Sequence, residues 1–381
     1  MKKRILIFTL MSSLFLGSQV YAATSDVNDG NMYIQTEHVT DDFSEYANRN
    51  FLNLLQAKML QDGLDMADAT SYSLGSPFSI LNKETDIQSF YYPVLKDNKV
   101  QYTYVLSKDN ETFIGQLSEF LANELQGLLD NNVTSKENPI TFFSTSGDIF
   151  YNLDNQDILL YSAPIENKVT EEEITKNDFN NLDLEVINIE EEQEFDISND
   201  LSVSNPFSRK VNTGYNYSLI DFTISETQKQ ENWCAAYSAA AILNNKNDKR
   251  PTNASTIMKW KYGNLPYDTL KNKAISQSDL VKYANTKKVY PKLVNSRLTL
   301  GEVKNQINKG NAIYAGAQGT GGYLGNRHAL VILGWIKPID REDMYYVWNP
   351  WWTYTSVIEV KNNTLPVPGG SWVWDNTITN W

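Results

Sequence analysis

Between residues 41 and 62 the apolar residues Phe43, Tyr46, Phe51, Leu52, Leu55, Met59 and Leu60 return at steps of three and four, which predicts a helix with one buried face. The pattern then shortens to strand-like runs at 71–81, 89–95 and 100–106, a turn at 108–110, a helix-like stretch at 114–129, and more strand-like runs at 140–144 and 149–160. These predict a compact α+β unit with no catalytic-looking cluster. In the second half the helical patterns come first, at 233–243, 254–261, 277–287 and 300–309. Beyond Gly310 extended runs follow at 312–317, 329–335, 344–348, 355–360 and 372–374. Helices followed by an antiparallel sheet predict a second α+β unit.

The ends and the middle differ from both. Lys2, Lys3 and Arg4 precede an apolar run over 5–16, and Val20-Tyr21-Ala22 has the small-residue form of a cleavage site, so 1–22 is expected to be an export signal. The run is shorter than the about 20 residues that a spanning helix needs, and the mature protein is expected to be soluble, secreted and extracellular. Residues 166–200 hold 13 acidic residues against Lys168 and Lys176, a density expected of a solvated linker. Beyond them Arg209-Lys210 offers a dibasic cutting point in a polar loop. The expected organisation is therefore 1–22, 23–165, a linker and activation region at 166–210, and 211–381.

Charge separates the halves. The chain carries −13 overall, while residues 211–381 hold 19 Lys+Arg against 12 Asp+Glu, leaving −20 for residues 1–210. An acidic first half should attract a basic second half. The basic residues are scattered rather than clustered with aromatics, so no nucleic-acid partner is expected, and no membrane partner.

Candidate chemistry sits in the second half. Cys234 is the sole cysteine of the chain and opens the predicted helix at 233–243. The thiolate is the attacking form of cysteine, and a helix N-terminus or a neighbouring histidine favours it. His328, one of two histidines, follows the glycine-rich run Gly316–Gly325 and opens an apolar strand-like run, where it could project into a cleft as a base. Asn349, in Trp348-Asn-Pro-Trp351, could accept the second imidazole N–H, with Trp351 screening that bond from water. Gln228 or Gln230, just upstream of the cysteine, could supply a side-chain donor to an oxyanion hole, and spacing alone does not choose between them. His38, the other histidine, stands in no such motif and is expected to be an ordinary surface or packing residue. One Cys and one His in this half assemble no zinc set, no Gly-x-Ser-x-Gly elbow is present, and no cofactor is expected.

Gln228 followed after five residues by Trp233-Cys234, the helix Ala236-Tyr-Ser-Ala239 ending in Leu243-Asn244, His328 on a strand and Trp348-Asn-Pro-Trp351 resemble the papain-like cysteine peptidases, and the staphopain family above all. The resemblance covers about 215–381. It implies a papain-like catalytic domain with Cys234 as nucleophile, His328 as general base and acid, Asn349 as imidazole orienter and Gln228 in the oxyanion hole. It also implies that residues 23 to about 210 are an inhibitory propeptide, that the substrates are proteins or peptides, that a co-expressed protein inhibitor is a partner, and that the enzyme is a monomer. The sequence departs from the pattern of plant and lysosomal relatives, Cys-Gly-Ser-Cys-Trp, because Trp233 precedes the cysteine and Ala235-Ala236 follow it. Arg327 stands before the histidine where staphopains usually carry glycine. Two other readings keep part of these observations: a cell-wall amidase or leader-processing peptidase with the same nucleophile, and a non-catalytic exported binding protein with an incidental cysteine.

Overall fold

The helix expected at 41–62 runs from Asp41 to Gln61, with Asp41 and Asp42 in its first turn and Lys58 in its last, each at the end of the dipole that favours it. Its buried face, Phe43, Ala47, Phe51, Leu54, Leu55 and Met59, packs on an antiparallel meander of strands Gln88–Lys96, Lys99–Asp109 and Thr112–Ser118. Asp97 and Asn98, both at positive φ, close the first hairpin in a two-residue turn whose twist suits the strands. A second small sheet, Thr141–Thr145, Asp148–Leu153 and Gln156–Tyr161, completes this half. This computed structural model describes residues 31–131, 134–165, 175–191, 215–246, 251–338, 341–361 and 363–381. The expected export signal, the dibasic pair and both ends of the acidic stretch lie outside the described residues.

Two local expectations are corrected here. The helix-like stretch at 114–129 is the strand Thr112–Ser118, a turn with Leu121 at φ 61°, and the helix Ala122–Asp130. The strand is buried on both faces, so its sequence lost the two-residue alternation that marks a half-buried strand. Within the acidic stretch, Leu184–Asn188 is a strand paired antiparallel with Tyr33–Glu37, and Phe179 and Ile189 beside it are buried. The charges there leave Leu184 and Ile187 half-buried along the strand, and the pairing partner lies some 150 residues away in the chain.

In the second half, the helix Cys234–Asn244 is apolar on all sides, with residues 235–243 all buried, as expected of a helix enclosed by its neighbours. It packs against the helices Ala254–Tyr262 and Gln277–Thr286 and against the strand Arg327–Lys337. That strand lies between Ile313–Gly321 and Met344–Trp348, and Gly370–Thr379 flanks Ile313–Gly321 on its far side. The whole is α+β in both halves.

The two halves share a sheet. Strand Thr355–Glu359 of the second half pairs antiparallel with Thr112–Ser118 of the first, Val357 opposite Leu117 and Ile358 opposite Gln116. Among the described residues this makes one continuous sheet of 13 strands. Glu359, at the end of this seam, is buried and accepts the hydroxyl of Tyr46 at 2.7 Å and the backbone N–H of Gly115 at 2.9 Å, both from the first half. Trp352 packs its ring 5.6 Å from that of Phe120 across the same boundary.

Candidate active site

A cleft of about 710 Å³ opens between the helices and the sheet of the second half. Gln228, Asn232 and Cys234 line one wall, and Tyr314, Arg327, His328 and Trp351 line the other. Pro164 and Ile165, from the first half, also line it, so a segment outside the predicted catalytic unit lies in the cleft.

Cys234 is the first residue of its helix, and the loop before it is tied down rather than capped by a side chain. Trp233 donates its indole N–H to the Leu270 carbonyl at 3.0 Å, and the Asn232 backbone N–H meets the Lys271 carbonyl at 2.9 Å. This fixes the sulfur at the positive end of the helix dipole. Its Sγ lies 4.0 Å from the Arg327 carbonyl oxygen, one residue from the histidine. His328 occupies the second position of the strand Arg327–Lys337, opposite Ala317, and is buried.

The imidazole is held by one hydrogen bond and flanked by two tilted indole rings. Nε2–H donates to Asn349 Oδ1 at 2.8 Å. The Trp351 backbone N–H donates to the same oxygen at 3.1 Å, which fixes the amide orientation and with it the tautomer. The bond engages Nε2, so Nδ1 is the nitrogen left for proton exchange with a sulfur. Ring centroids of Trp351 and Trp372 lie 4.2 and 4.9 Å from that of His328. Trp351 thus lies against the imidazole that Asn349 holds.

Gln228 and Gln230 are separated by the fold. Gln228 is buried on the cleft, its backbone N–H on the Pro350 carbonyl at 2.8 Å, whereas Gln230 is exposed and does not line the cleft. The Gln228 amide donates to the Glu231 carbonyl, and its Oε1 is buried without a partner. The Glu231 carboxylate braces the same loop, accepting the Tyr267 hydroxyl at 2.7 Å and the Lys229 N–H at 3.1 Å.

The protonation of the pair differs from the thiolate–imidazolium form expected from residue types alone. Burial pushes the Cys234 thiol up to about 11, opposed by the backbone N–H of Ala329 on the neighbouring strand and by those of Ala235 and Cys234 in its own helix turn. Burial pushes His328 down to about 4, opposed by the bond to Asn349. Both shifts favour the uncharged thiol and the uncharged imidazole. The structure thus brings Cys234, His328 and Gln228 to one cleft, with Asn349 buried off it and bonded to the imidazole. His38 is remote from it, exposed, with Nδ1 3.2 Å from a Glu185 carboxylate oxygen. The sequence reading missed Trp372, Tyr314, the Arg327 carbonyl and the covering residues Pro164 and Ile165. Trp372 had a signal in the alternation Trp372-Val-Trp374, while the others depend on which strands become neighbours.

Two family models match the chain. The staphopain peptidase C47 family model matches residues 211–380, and the staphopain proregion model matches residues 29–188. Staphopain A of Staphylococcus aureus (strain MRSA252) is 24% identical over 364 residues, 91% of this chain and 88% of that protein. Staphopain B of Staphylococcus aureus is 26% identical over 350 residues, 87% of this chain and 84% of that protein.

Proposed function

We propose that this chain, which is a staphopain-like cysteine peptidase made as a zymogen with its own proregion, hydrolyses peptide bonds through Cys234, His328 and Asn349 with Gln228 in the oxyanion hole. The observation that carries the mechanism is the fixed imidazole: Asn349, itself anchored by the Trp351 N–H, holds Nε2–H, so Nδ1 faces the task of taking a thiol proton. Once the cleft is open, Nδ1 accepts that proton and Sγ attacks the peptide carbonyl carbon. The carbonyl oxygen becomes an oxyanion, stabilised by the Cys234 backbone N–H and by the Gln228 amide after it leaves the Glu231 carbonyl. The imidazolium then protonates the leaving amine. Water, deprotonated by Nδ1, attacks the thioester, and the thiol is regenerated.

The proregion acts on the same cleft through Pro164 and Ile165, which supports its role as an intramolecular inhibitor. We assign 1–22 to an export signal, 23–165 to the folded proregion and 211–381 to the peptidase, with cutting between them in the acidic region and secretion of the product. No helix among the described residues is long and apolar enough to cross a membrane.

Cys234→Ala in the full chain is expected to abolish both peptide hydrolysis and self-processing while leaving expression intact. Zymography with gelatin, alongside N-terminal sequencing of the products, checks this; hydrolysis by that variant at the wild-type rate would remove Cys234 from the mechanism. Clearing of peptidoglycan but not gelatin by the wild type would move the substrate to the cell wall.

A further inference from the structure

Two residues with formal charges line the cleft, Arg327 and Asp375. Arg327 is covalently next to His328, and its backbone carbonyl oxygen lies 4.0 Å from Cys234 Sγ, so its backbone adjoins both reacting groups. Its Nη2 donates to Asp375 Oδ1 at 2.5 Å, and the two side chains are 52% and 37% exposed. One of the five guanidinium donors is used there, and the Arg327 side chain lines the cleft and is half-exposed.

The fold places Asp375 deliberately. The pairing of Gly370–Thr379 with Ile313–Gly321 shifts between Gly316 and Ala317: Gly316 lies opposite Asn376 and Ala317 opposite Trp374. Asp375 is therefore the extra residue of a β-bulge, a device that re-aims a side chain. Asn376 donates its Nδ2 to Asp375 Oδ1 at 2.6 Å, and its own Oδ1 accepts the Gln277 amide. The residue opposite is Gly316, and a Cβ there would push on the ends of the Asn376 and Gln277 side chains, so glycine leaves that pair room to meet. A chain of side chains, Gln277 to Asn376 to Asp375 to Arg327, thus ends beside the reacting groups.

We infer that Arg327 sets substrate specificity by pairing with a carboxylate side chain near the scissile bond, in competition with Asp375, so that acidic residues there are favoured over basic ones. This rests on the proposed peptidase reading. A half-exposed Arg–Asp contact is weakly held, so a substrate carboxylate can share the fork, and guanidinium groups bind carboxylates through paired donors. Asp375 tempers the preference by occupying one donor and repelling a second carboxylate.

The test uses the full chain activated in situ by limited proteolysis, with active sites counted by iodoacetamide titration. Fluorogenic peptides carry Glu, Gln or Lys at each of the positions flanking the cleaved bond, and the readout is the ratio of kcat/KM values within one variant. At one position the Glu/Gln ratio should be about two- to fivefold at neutral pH, with Lys below Gln, and high salt should shrink both differences. Asp375→Asn should raise the Glu/Gln ratio, Arg327→Ala should bring it to one, and Arg327→Lys should leave an intermediate value. A ratio unchanged in Arg327→Ala, a wild-type preference for Lys, or no rise in Asp375→Asn overturns the inference. Should no peptide be cleaved and iodoacetamide have no effect, the peptidase mechanism itself fails; cleavage with charge-blind ratios removes only the role of Arg327.

Discussion

Gln228 enters the cleft with one amide proton already committed to the Glu231 carbonyl and with Oε1 buried and unpartnered. An oxyanion in the cleft gives that N–H a charged acceptor in place of a neutral one, a gain realised only as the reaction proceeds. Gln228→Ala is therefore expected to lower kcat by about 100- to 1000-fold. Gln230→Ala, altering an exposed side chain away from the cleft, should stay close to wild type. Kinetics normalised to titrated thiol check both. A second expectation concerns the thiol itself. With its pKa pushed up to about 11, Cys234 is expected to be mostly thiol at neutral pH in the intact chain. Alkylation of the intact chain should thus be slow at neutral pH and climb until the pH reaches about 11, the sign following from a raised acid constant. Chain freed of its proregion should react faster than free cysteine near pH 6. Equal rates before and after processing would show that the cover does not control the thiol. At this scale the sequence was informative because Cys234 has no other thiol to be confused with and His328 no other histidine in its half. Tyr314 and the Arg327 carbonyl carried no such mark, since an aromatic in a strand and a backbone oxygen acquire meaning from the strand that lies beside them.

Among the elements, the strand Thr355–Glu359 matters most, because it carries the seam. Burial raises the Glu359 carboxyl above its ordinary value of 4.5, opposed by the Tyr46 hydroxyl, the Gly115 N–H and Lys361, and reinforced by Glu342. Tyr104, also buried nearby, gains a raised pKa partly from the same charge. The docked state therefore holds the Glu359 proton more firmly than the released state does. Its contribution to docking is full below the ordinary carboxylate value and is lost as pH rises through the raised one. His328, lowered to about 4 while covered, works in the opposite direction, since acid protonates it more readily once released. Comparing wild type with Glu359→Gln separates the two: the variant should lose the part of the pH dependence in which proregion release quickens with rising pH. Release rates of the nicked protein measured from about pH 4 to pH 8 give the answer, and parallel curves would exclude Glu359. The helices were the legible elements, Asp41–Gln61 and Cys234–Asn244 falling within a residue or so of their patterns. The strand Thr112–Ser118 was not, because burial on both faces erased its alternation, and Leu184–Asn188 was hidden under the charge that surrounds it.

For the whole molecule, the −20 of residues 1–210 against a basic second half is matched by apolar joining: the helix Asp41–Gln61 and the helix Cys234–Asn244 contribute to one buried cluster. With a shared sheet and the Phe120–Trp352 contact as well, the halves are held by more than the covalent chain between them. A protein cut once between residues 192 and 214 should consequently elute as a single species at moderate salt, with both fragments present on denaturing gels. Separation of the fragments immediately on cutting would mean that the seam is weaker than its burial suggests. Two successive α+β halves were visible in the order of the patterns, whereas the joining of their sheets was not, since pairing across 240 residues leaves no local trace.

The seam has one more consequence, for the life of the enzyme after its proregion has gone. Release leaves Thr355–Glu359 as a bare sheet border carrying Val357 and Ile358, the kind of border on which another chain can add itself. Glu359 then meets water and ionises, with Lys361 and Glu342 beside it. A carboxyl that serves the resting protein as a buried acceptor would become, in the working one, a charge that discourages strangers from extending the sheet.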